Sequence, residues 1–272
     1  MPAFHAQPGM PYWIDLNTSD PRRSEHFYGE LLGWEFTEVG GGQRIARKDG
    51  LPVAGLLPQA PDSPLPDTWV TSFLARDLDA QVAQAPELGG RVLAEPTAAQ
   101  VGRLAVLVDA AGALFGLIEP PAGQAFVAAG EPGTPVWHEL TAATNHAAAT
   151  AFYQGLLGWD LITENGYTTV LADGAAFAGL ADAQGQFPAQ VPSFWQSYLG
   201  VADIDAAVAQ VPELAGEVIR APWDSPFGRM AIIADSTGAT LTLCQVDPYT
   251  EPDIQEGDDI FAAVEAQLGQ QR

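Results

Sequence analysis

The chain contains itself twice. Residues 11–34 read PYWIDLNTSDPRRSEHFYGELLGW, and residues 135–159 read PVWHELTAATNHAAATAFYQGLLGW. Trp, an acid, Leu, Phe-Tyr and LLGW recur in order, with one extra residue before Phe152. DGLPVAGL at 49–56 answers DGAAFAGL at 173–180, and WVTSFLARDLDAQVAQAPELGG from Trp69 answers WQSYLGVADIDAAVAQVPELAG from Trp195. GRLAVLVDAAGALFGL from Gly102 answers GRMAIIADSTGATLTL from Gly228. A repeat this long restricts the fold to two copies of one domain. The 272 residues suffice for two cores of about 125 residues each.

The halves are bounded at about 10–120 and 133–247. Between them, within the Pro/Gly/Ala stretch EPPAGQAFVAAGEPGT at 119–134, residues 121–132 read as a linker. Residues 248–272 form an acidic tail, EPDIQEGDD, with a short helical run FAAVEAQL. Each half divides again. A strand, YWIDLN, precedes a helix over Arg22–Leu32 that carries His26, Phe27, Leu31 and Leu32 at helical spacing and stops at Gly33. Three strands follow near 34–39, 43–48 and 53–58, with Asp49-Gly50 as a hairpin turn. A second set starts at Trp69, with a helix from the N-cap Asp77 to about Leu88 and closing strands at 103–108 and 113–118 around DAAG. The expected fold is α+β, with four βαβββ units in all.

Composition narrows the partners. Thirty-four Asp and Glu against 11 Lys and Arg give a formal charge of −23, which repels polyanions, so neither nucleic acid nor an anionic membrane is an expected partner. Cys244 is the lone cysteine and sits in the alternating run LTLCQV as a buried thiol, so no intrachain disulfide and no Cys-rich zinc site is expected. MPAFHAQPGMP has no basic segment followed by an apolar one, and no apolar run reaches the ~18–20 residues that span a bilayer. A cytoplasmic monomer or homodimer is the expectation. GGG at 40–42 lacks the context of a phosphate loop, and no GxSxG, CxxC, HExxH or Walker pattern occurs. His5 and His26 have no partner by spacing, nor does His146 at a helix start.

Four βαβββ units, FYxxLLGW and the closing D-x-x-G-A turn resemble the vicinal oxygen chelate superfamily, which groups glyoxalases, bleomycin-resistance proteins and extradiol dioxygenases. The resemblance covers about residues 10–247, and the WxxL opening of both halves is most similar to a two-domain bacterial branch labelled glyoxalase-like or hydroxylase. It implies two tandem glyoxalase-like domains, each a curved sheet around a cavity. It also implies where a metal would sit. The first ligand, a His seven residues before the helix N-cap, falls on Trp13 and Trp137. The second falls near Val70 and Gln196, and the third, a Glu after the turn glycine, on Gly116 and Thr242. Divalent sites need several His or carboxylate ligands converging on one point. No metal and no other cofactor is therefore expected in either half.

Strand side chains alternate faces, which separates His138 from Glu139 in VWHEL. If the first-ligand position faces the cavity, Trp13, Asp15 and Asn17 do so in one half, and Trp137, Glu139 and Thr141 in the other. Ile14, Leu16, His138 and Leu140 then face the packed helix, and His138 is a packing residue that Ile or Leu could replace. Asp15 and Glu139 are the candidate proton-transfer residues, since burial raises a carboxylate pKa toward the range useful to a base. They could instead be closed off by Arg103 and Arg229, which open a strand of the same half. Trp13, Asn17, Arg103 and Gly116, with Trp137, Thr141, Arg229 and Thr242, make up the candidate ligand-binding set, Gly116 leaving room for an indole or a ligand.

The expected function is binding of a small, partly apolar organic molecule in one or both cavities, with or without a metal-independent proton transfer of lyase, isomerase or hydroxylase-like type. The alternatives are a metal-dependent lyase or dioxygenase with non-standard ligands, a drug-sequestering resistance protein, and a structural protein with degenerate cavities.

Overall fold

A computed structural model describes residues 3–60, 62–124 and 126–248, so the acidic tail and its FAAVEAQL helix lie outside the described residues. The first half runs β2 (Pro11–Thr18), α1 (Pro21–Leu32), β3 (Glu35–Gly40), β4 (Gln43–Lys48) and β5 (Leu51–Pro58). It continues with β6 (Thr68–Leu74), α2 (Leu78–Gln84), β7 (Arg91–Ala99), β8 (Gly102–Val108) and β9 (Leu114–Glu119). The second half repeats the order: β11 (Pro135–Ala142), α3 (His146–Leu157), β12 (Asp160–Glu164), β13 (Tyr167–Ala172), β14 (Ala175–Asp182), β15 (Phe194–Val201), α4 (Ile204–Gln210), β16 (Glu217–Ser225), β17 (Gly228–Ala234) and β18 (Thr240–Gln245). The four βαβββ units are all present, in two tandem domains of α+β class.

Each half makes its own eight-stranded sheet, ordered β3-β4-β5-β2-β6-β9-β8-β7 and β12-β13-β14-β11-β15-β18-β17-β16. The local signals act as written. Asp20 caps α1 by accepting from the amides of Arg22 and Arg23, and Gly33 ends it in the left-handed conformation at φ 68°. Asp49 (φ 50°) and Gly50 (φ 81°) both have positive φ, the requirement of a type I′ hairpin, and Asp173-Gly174 repeats it. The stretch read as a linker is partly ordered strand. Phe126–Ala128 (β10) pairs antiparallel with Ala3–His5 (β1), so the N-terminal segment and the linker form a small sheet of their own.

The packing is shared between the halves, which repeat analysis did not anticipate. One core holds Phe27, Tyr28 and Leu31 of α1 together with Ile204 and Ala207 of α4 and Ile233 and Leu241 of the second sheet. The other joins Leu78 and Val82 of α2 to Phe152 and Tyr153 of α3. The family-like motifs are the parts that meet there. The Tyr28 hydroxyl donates to Asp235 Oδ2 at 2.9 Å and accepts from Trp69 Nε1 at 3.0 Å. Asp235 is the acid of the second D-x-x-G turn, and its Oδ1 holds that turn by accepting from the amides of Thr237 and Ala239. Tyr153 mirrors this. It accepts from Trp195 Nε1 at 2.7 Å and lies against Asp109, whose charge adds to burial in holding the phenol well above its usual range. Trp34 and Trp159 of the two LLGW motifs donate across to the carbonyls of Gly133 and Gly9. Such reciprocal contacts relate the halves as a symmetric pair.

Candidate functional site

Strand parity in β2 follows the alternation read from sequence. Ile14 and Leu16 enter the inter-half core, while Trp13 packs with Ile45 and Ile118 on the concave side of its own sheet. Trp13 and Asp15 line a cavity of about 530 Å³ in the first half, with Gln43, Arg44, Gly55, Thr97, Val101 and Leu104 among its walls. Asp15 is only 6% exposed. Among the described residues its one side-chain partner is the Trp13 indole, which donates to Oδ1 at 2.9 Å. Burial pushes its carboxyl up to about 6, and the indole N–H opposes the rise. A Cβ on Gly55 would collide with this carboxylate, so only glycine leaves room for the acid there.

The arginine pairing considered for the acids is not what forms. Arg103 binds Asp79 at 2.7 Å and Glu119 at 2.9 Å, and Arg229 binds Asp205 and Asp224, all as partly exposed pairs on the outer rim. Each opens an interior strand of its sheet, β8 or β17, with its guanidinium head about two-fifths exposed to water, and neither lines the described cavities. Gly116 does not leave room for a ligand either. Ser72 pairs with it across β6 and β9, and the Ser72 hydroxyl fills the space a Cβ would need. Asn17 is half-buried, with its carbonyl accepting from Gln59, and also lies outside the walls of that cavity.

The second half carries the same plan with larger side chains. Tyr167 stands where Gln43 stands in the first half, Tyr198 where Ser72 stands, Trp223 for Thr97, Phe227 for Val101 and Thr242 for Gly116. The Tyr167 hydroxyl donates to Glu139 Oε2 at 3.0 Å, and Tyr198 also bonds this carboxylate. Burial raises the Glu139 pKa while the two phenols pull it back. Tyr167 occupies the space over Gly179 that Asp15 occupies over Gly55. Trp137 packs with Tyr198, Met230, Cys244 and Trp223. Thr141 and Thr242 are buried, at 9% and 2% exposure. The second concave face is thus lined by aromatic rings at the positions where the first is open.

At the metal positions, the sheet does bring neighbouring strands together, with Asp15 opposite Val70 and Glu139 opposite Gln196. The groups offered are an indole, an isopropyl and a bare α-carbon in one half, and an indole, an amide and a hydroxyl in the other. Among the described residues no three His, Cys, Asp or Glu side chains gather in one place. These residues do not fit a divalent ion of the family type.

His138 departs from its expected role as a packing residue. Its Nδ1 lies 3.0 Å from Ser197 Oγ, which lies 3.0 Å from Thr71 Oγ1 of the first half. It faces the junction of the halves rather than a helix, because the convex faces of the two sheets meet there. His146 also has partners: Nε2 lies 3.2 Å from the Leu180 carbonyl and 3.3 Å from Thr168 Oγ1, so it helps anchor the start of α3. The inter-half junction was missed because the Thr71–Ser197 match is visible only as a repeated hydroxyl in WVTSF and WQSYL, a weak signal by itself.

Residues 13–118 match the glyoxalase-like domain family, and residues 138–243 match the glyoxalase/bleomycin resistance protein/dioxygenase superfamily. CFP32 of Mycobacterium tuberculosis, named as a provisional glyoxylase, is 30% identical over 254 residues, covering 88% of this chain and 96% of its own. The anthracycline biosynthesis protein DnrV of Streptomyces peucetius is 30% identical, with 88% and 94% covered. Among solved structures, the Mn(II)-bound glyoxalase from Novosphingobium aromaticivorans superposes with a TM-score of 0.63 at 16% identity, covering 91% of this chain and 86% of that one. The 2,3-dioxygenase LapB from Pseudomonas sp. KL28 gives 0.61 at 13% identity, covering 92% and 96%. These structural likenesses establish the fold.

Proposed function

The chain belongs to the glyoxalase/bleomycin resistance protein/dioxygenase superfamily, and from that premise we propose that its first half binds a small, partly apolar organic molecule against Trp13 and Asp15 without the family's metal. The observation that carries this is Asp15 itself: an acid at 6% exposure, bonded among the described residues only to an indole, beside a cavity of about 530 Å³. A buried carboxylate without a cation is costly to fold around. A ligand with an amine or hydroxyl donor would relieve that cost, so the fold favours such a guest. Arg44, the cation on the same wall, is engaged by Glu25 at 2.8 Å. The cavity falls in the usual size range of small-molecule sites, ~300–1,000 Å³.

The chemistry such a site supports is proton transfer. With its pKa near 6, Asp15 is ionised at neutral pH and close enough to neutrality to take a proton from a bound molecule and return it. Two relatives' names, a provisional glyoxylase and a protein of anthracycline biosynthesis, both belong to small-molecule chemistry and agree with this reading. The first half is the favoured site because Gln43 and Ser72 leave open what Tyr167 and Tyr198 fill in the second.

The test is an NMR titration of the ¹⁵N-labelled protein with a panel of aryl amines and aryl alcohols. At least one compound should shift the Trp13 indole N–H, and Asp15→Asn should weaken that binding about tenfold. A panel that leaves the Trp13 signal unmoved would sink the site. Stoichiometric divalent metal in the purified protein, with a melting temperature lowered by EDTA, would sink the metal-free part.

A further inference from the structure

A second cavity, of about 500 Å³, lies between the halves. It is built from equivalent segments of the two repeats: Pro11 to Ile14 with Pro135 to His138, and Pro52-Val53 with Ala176-Phe177. The small β1–β10 sheet closes one side, where Ala128 and Ala129 line the cavity and the Tyr12 hydroxyl donates to the Gln124 carbonyl at 2.9 Å. Trp13 borders both this cavity and that of the first half.

A seam that served packing alone would need only apolar groups at these paired positions. Several pairs are unequal in a directed way. Ile14 in one half is His138 in the other, Val136 is Tyr12, and Leu171 is Arg47. Each polar member lines the cavity, with Ile14 and Val136 beside them and Leu171 outside its lining. Arg47 makes no ion pair among the described residues and gives one N–H to the Gly50 carbonyl at 3.1 Å. His138 is fixed through Nδ1 by the Ser197–Thr71 hydroxyls, and among the described residues Nε2 has no partner. Burial holds its pKa down to about 3, so the ring is neutral and serves as a hydrogen-bonding group rather than a charge. The remaining wall is largely aromatic and aliphatic: Trp13, Trp137, Phe177, Ile45 and Val101.

We propose that this inter-half cavity is a second binding site, for a flat aromatic molecule bearing an acidic group, with His138 as its hydrogen-bonding anchor and Arg47 as its counter-charge. Aromatic walls take the ring system, and the two polar groups orient it, the usual division of labour in a small-molecule pocket. In a chain of net charge −23, an unpaired arginine beside an apolar cavity is a local exception that favours an anion. The two cavities share Trp13, Ile45, Gln100 and Val101 as a common wall and differ in the rest of their lining, which includes His138 and Arg47 here and Asp15 there.

The probes are 1-anilinonaphthalene-8-sulfonate and N-phenyl-1-naphthylamine, which share a ring body and differ by the acidic group. The sulfonate should bind the intact protein with one-to-one stoichiometry, read by fluorescence and calorimetry. Arg47→Gln should weaken the sulfonate about tenfold and the neutral amine much less. His138→Ile, the first-half residue at that position, should weaken the sulfonate as well. Ala129→Trp, at a half-exposed position, should abolish binding while the protein keeps a cooperative melt. Gln43→Tyr, which closes the first-half cavity, should leave the sulfonate bound. Loss of binding in Gln43→Tyr with retention in Ala129→Trp would place the probe beside Asp15 and overturn the proposal, as would no stoichiometric binding at all. Equal loss of both probes in Arg47→Gln would overturn the acidic-ligand assignment.

Discussion

Thr71 Oγ1 and Ser197 Oγ lie 3.0 Å apart, and the two residues occupy the same position in the two repeats. Equivalent atoms can touch only where the relating axis passes, so this pair marks the centre of the inter-half seam. The symmetry breaks one step further on, where Ser197 continues to His138 while Thr71 faces Ile14 across the strands. Ser197→Ala should therefore cost more than Thr71→Val. The first strands both the His138 ring nitrogen and the Thr71 hydroxyl, for about 1–3 kcal/mol in total, whereas the second leaves Ser197 its histidine and costs about 0.5–1.5 kcal/mol. The double variant should cost less than the sum in urea unfolding. Strict additivity would mean that the three groups do not act as one network.

Asp15 makes stability depend on pH with a defined sign. Its folded pKa, about 6, lies above the ordinary carboxylate value of 3.8, so between these limits the native state holds more protons than the unfolded chain. Stability from this group is present in full below about pH 4 and is lost as pH rises through about 6. Asp15→Asn should thus stabilise the protein at pH 7.5 by about 3 kcal/mol, on the scale of ~1.4 kcal/mol per pH unit, and by little at pH 4. His138 acts oppositely: its lowered pKa means stability falls as acid charges the unfolded imidazole between about 6.5 and 3. Thermal melts of Asp15→Asn and His138→Ile across pH 4–8 should show the two slopes separately. A Tm gain for Asp15→Asn that is constant with pH would point to packing rather than ionisation.

The halves should not fold alone. Each core takes helices from both, and Tyr28 joins Trp69 of its own half to Asp235 of the other. Residues 1–130 expressed separately should lack a cooperative transition by circular dichroism, and the full chain should unfold in one calorimetric step. Tyr28→Phe removes the partner of both a buried indole N–H and a buried carboxylate oxygen, and should cost about 2–3 kcal/mol. Two resolved transitions at different temperatures would contradict the shared core.

The fold was legible because the repeat, the caps and the Asp-Gly turns are local and were each written twice. Strand parity placed Trp13 and Asp15 on the concave face for the same reason: alternation is a property of the strand alone. What stayed hidden was long-range. FYxxLLGW and D-x-x-G-A could be recognised as motifs, but nothing in their spacing says that Tyr28 reaches Asp235 in the other half. Arg103 and Arg229 look like partners for the acids along the chain, yet in the fold they meet Asp79 and Asp205, which follow the N-caps of α2 and α4. The difference between the two concave faces was present in the letters, in Gln43 against Tyr167 and Ser72 against Tyr198. It became meaningful only through the fold, where Tyr167 and Tyr198 bond Glu139 while Asp15 keeps the Trp13 indole.

That difference gives the sharpest single substitution. Gln43→Tyr should turn the first half into a likeness of the second, because Tyr167 at the matching position donates to Glu139 at 3.0 Å. A phenol placed there fills part of the cavity and offers Asp15 a second hydrogen-bond donor. Hydrogen bonds to the ionised form lower a carboxyl pKa, so Asp15 should titrate below its present value near 6. Stability at pH 7.5 should rise by about 0.5–2 kcal/mol, from the net value of one hydrogen bond plus added apolar contact. Binding at Trp13–Asp15 should be lost in the same variant. Carbon-detected NMR titration of the Asp15 carboxyl, followed by the aryl-amine titration, reads both effects. A variant with a lowered Asp15 pKa that still binds the amines as the parent does would separate the acid from the ligand site, leaving Asp15 as a group of the fold alone.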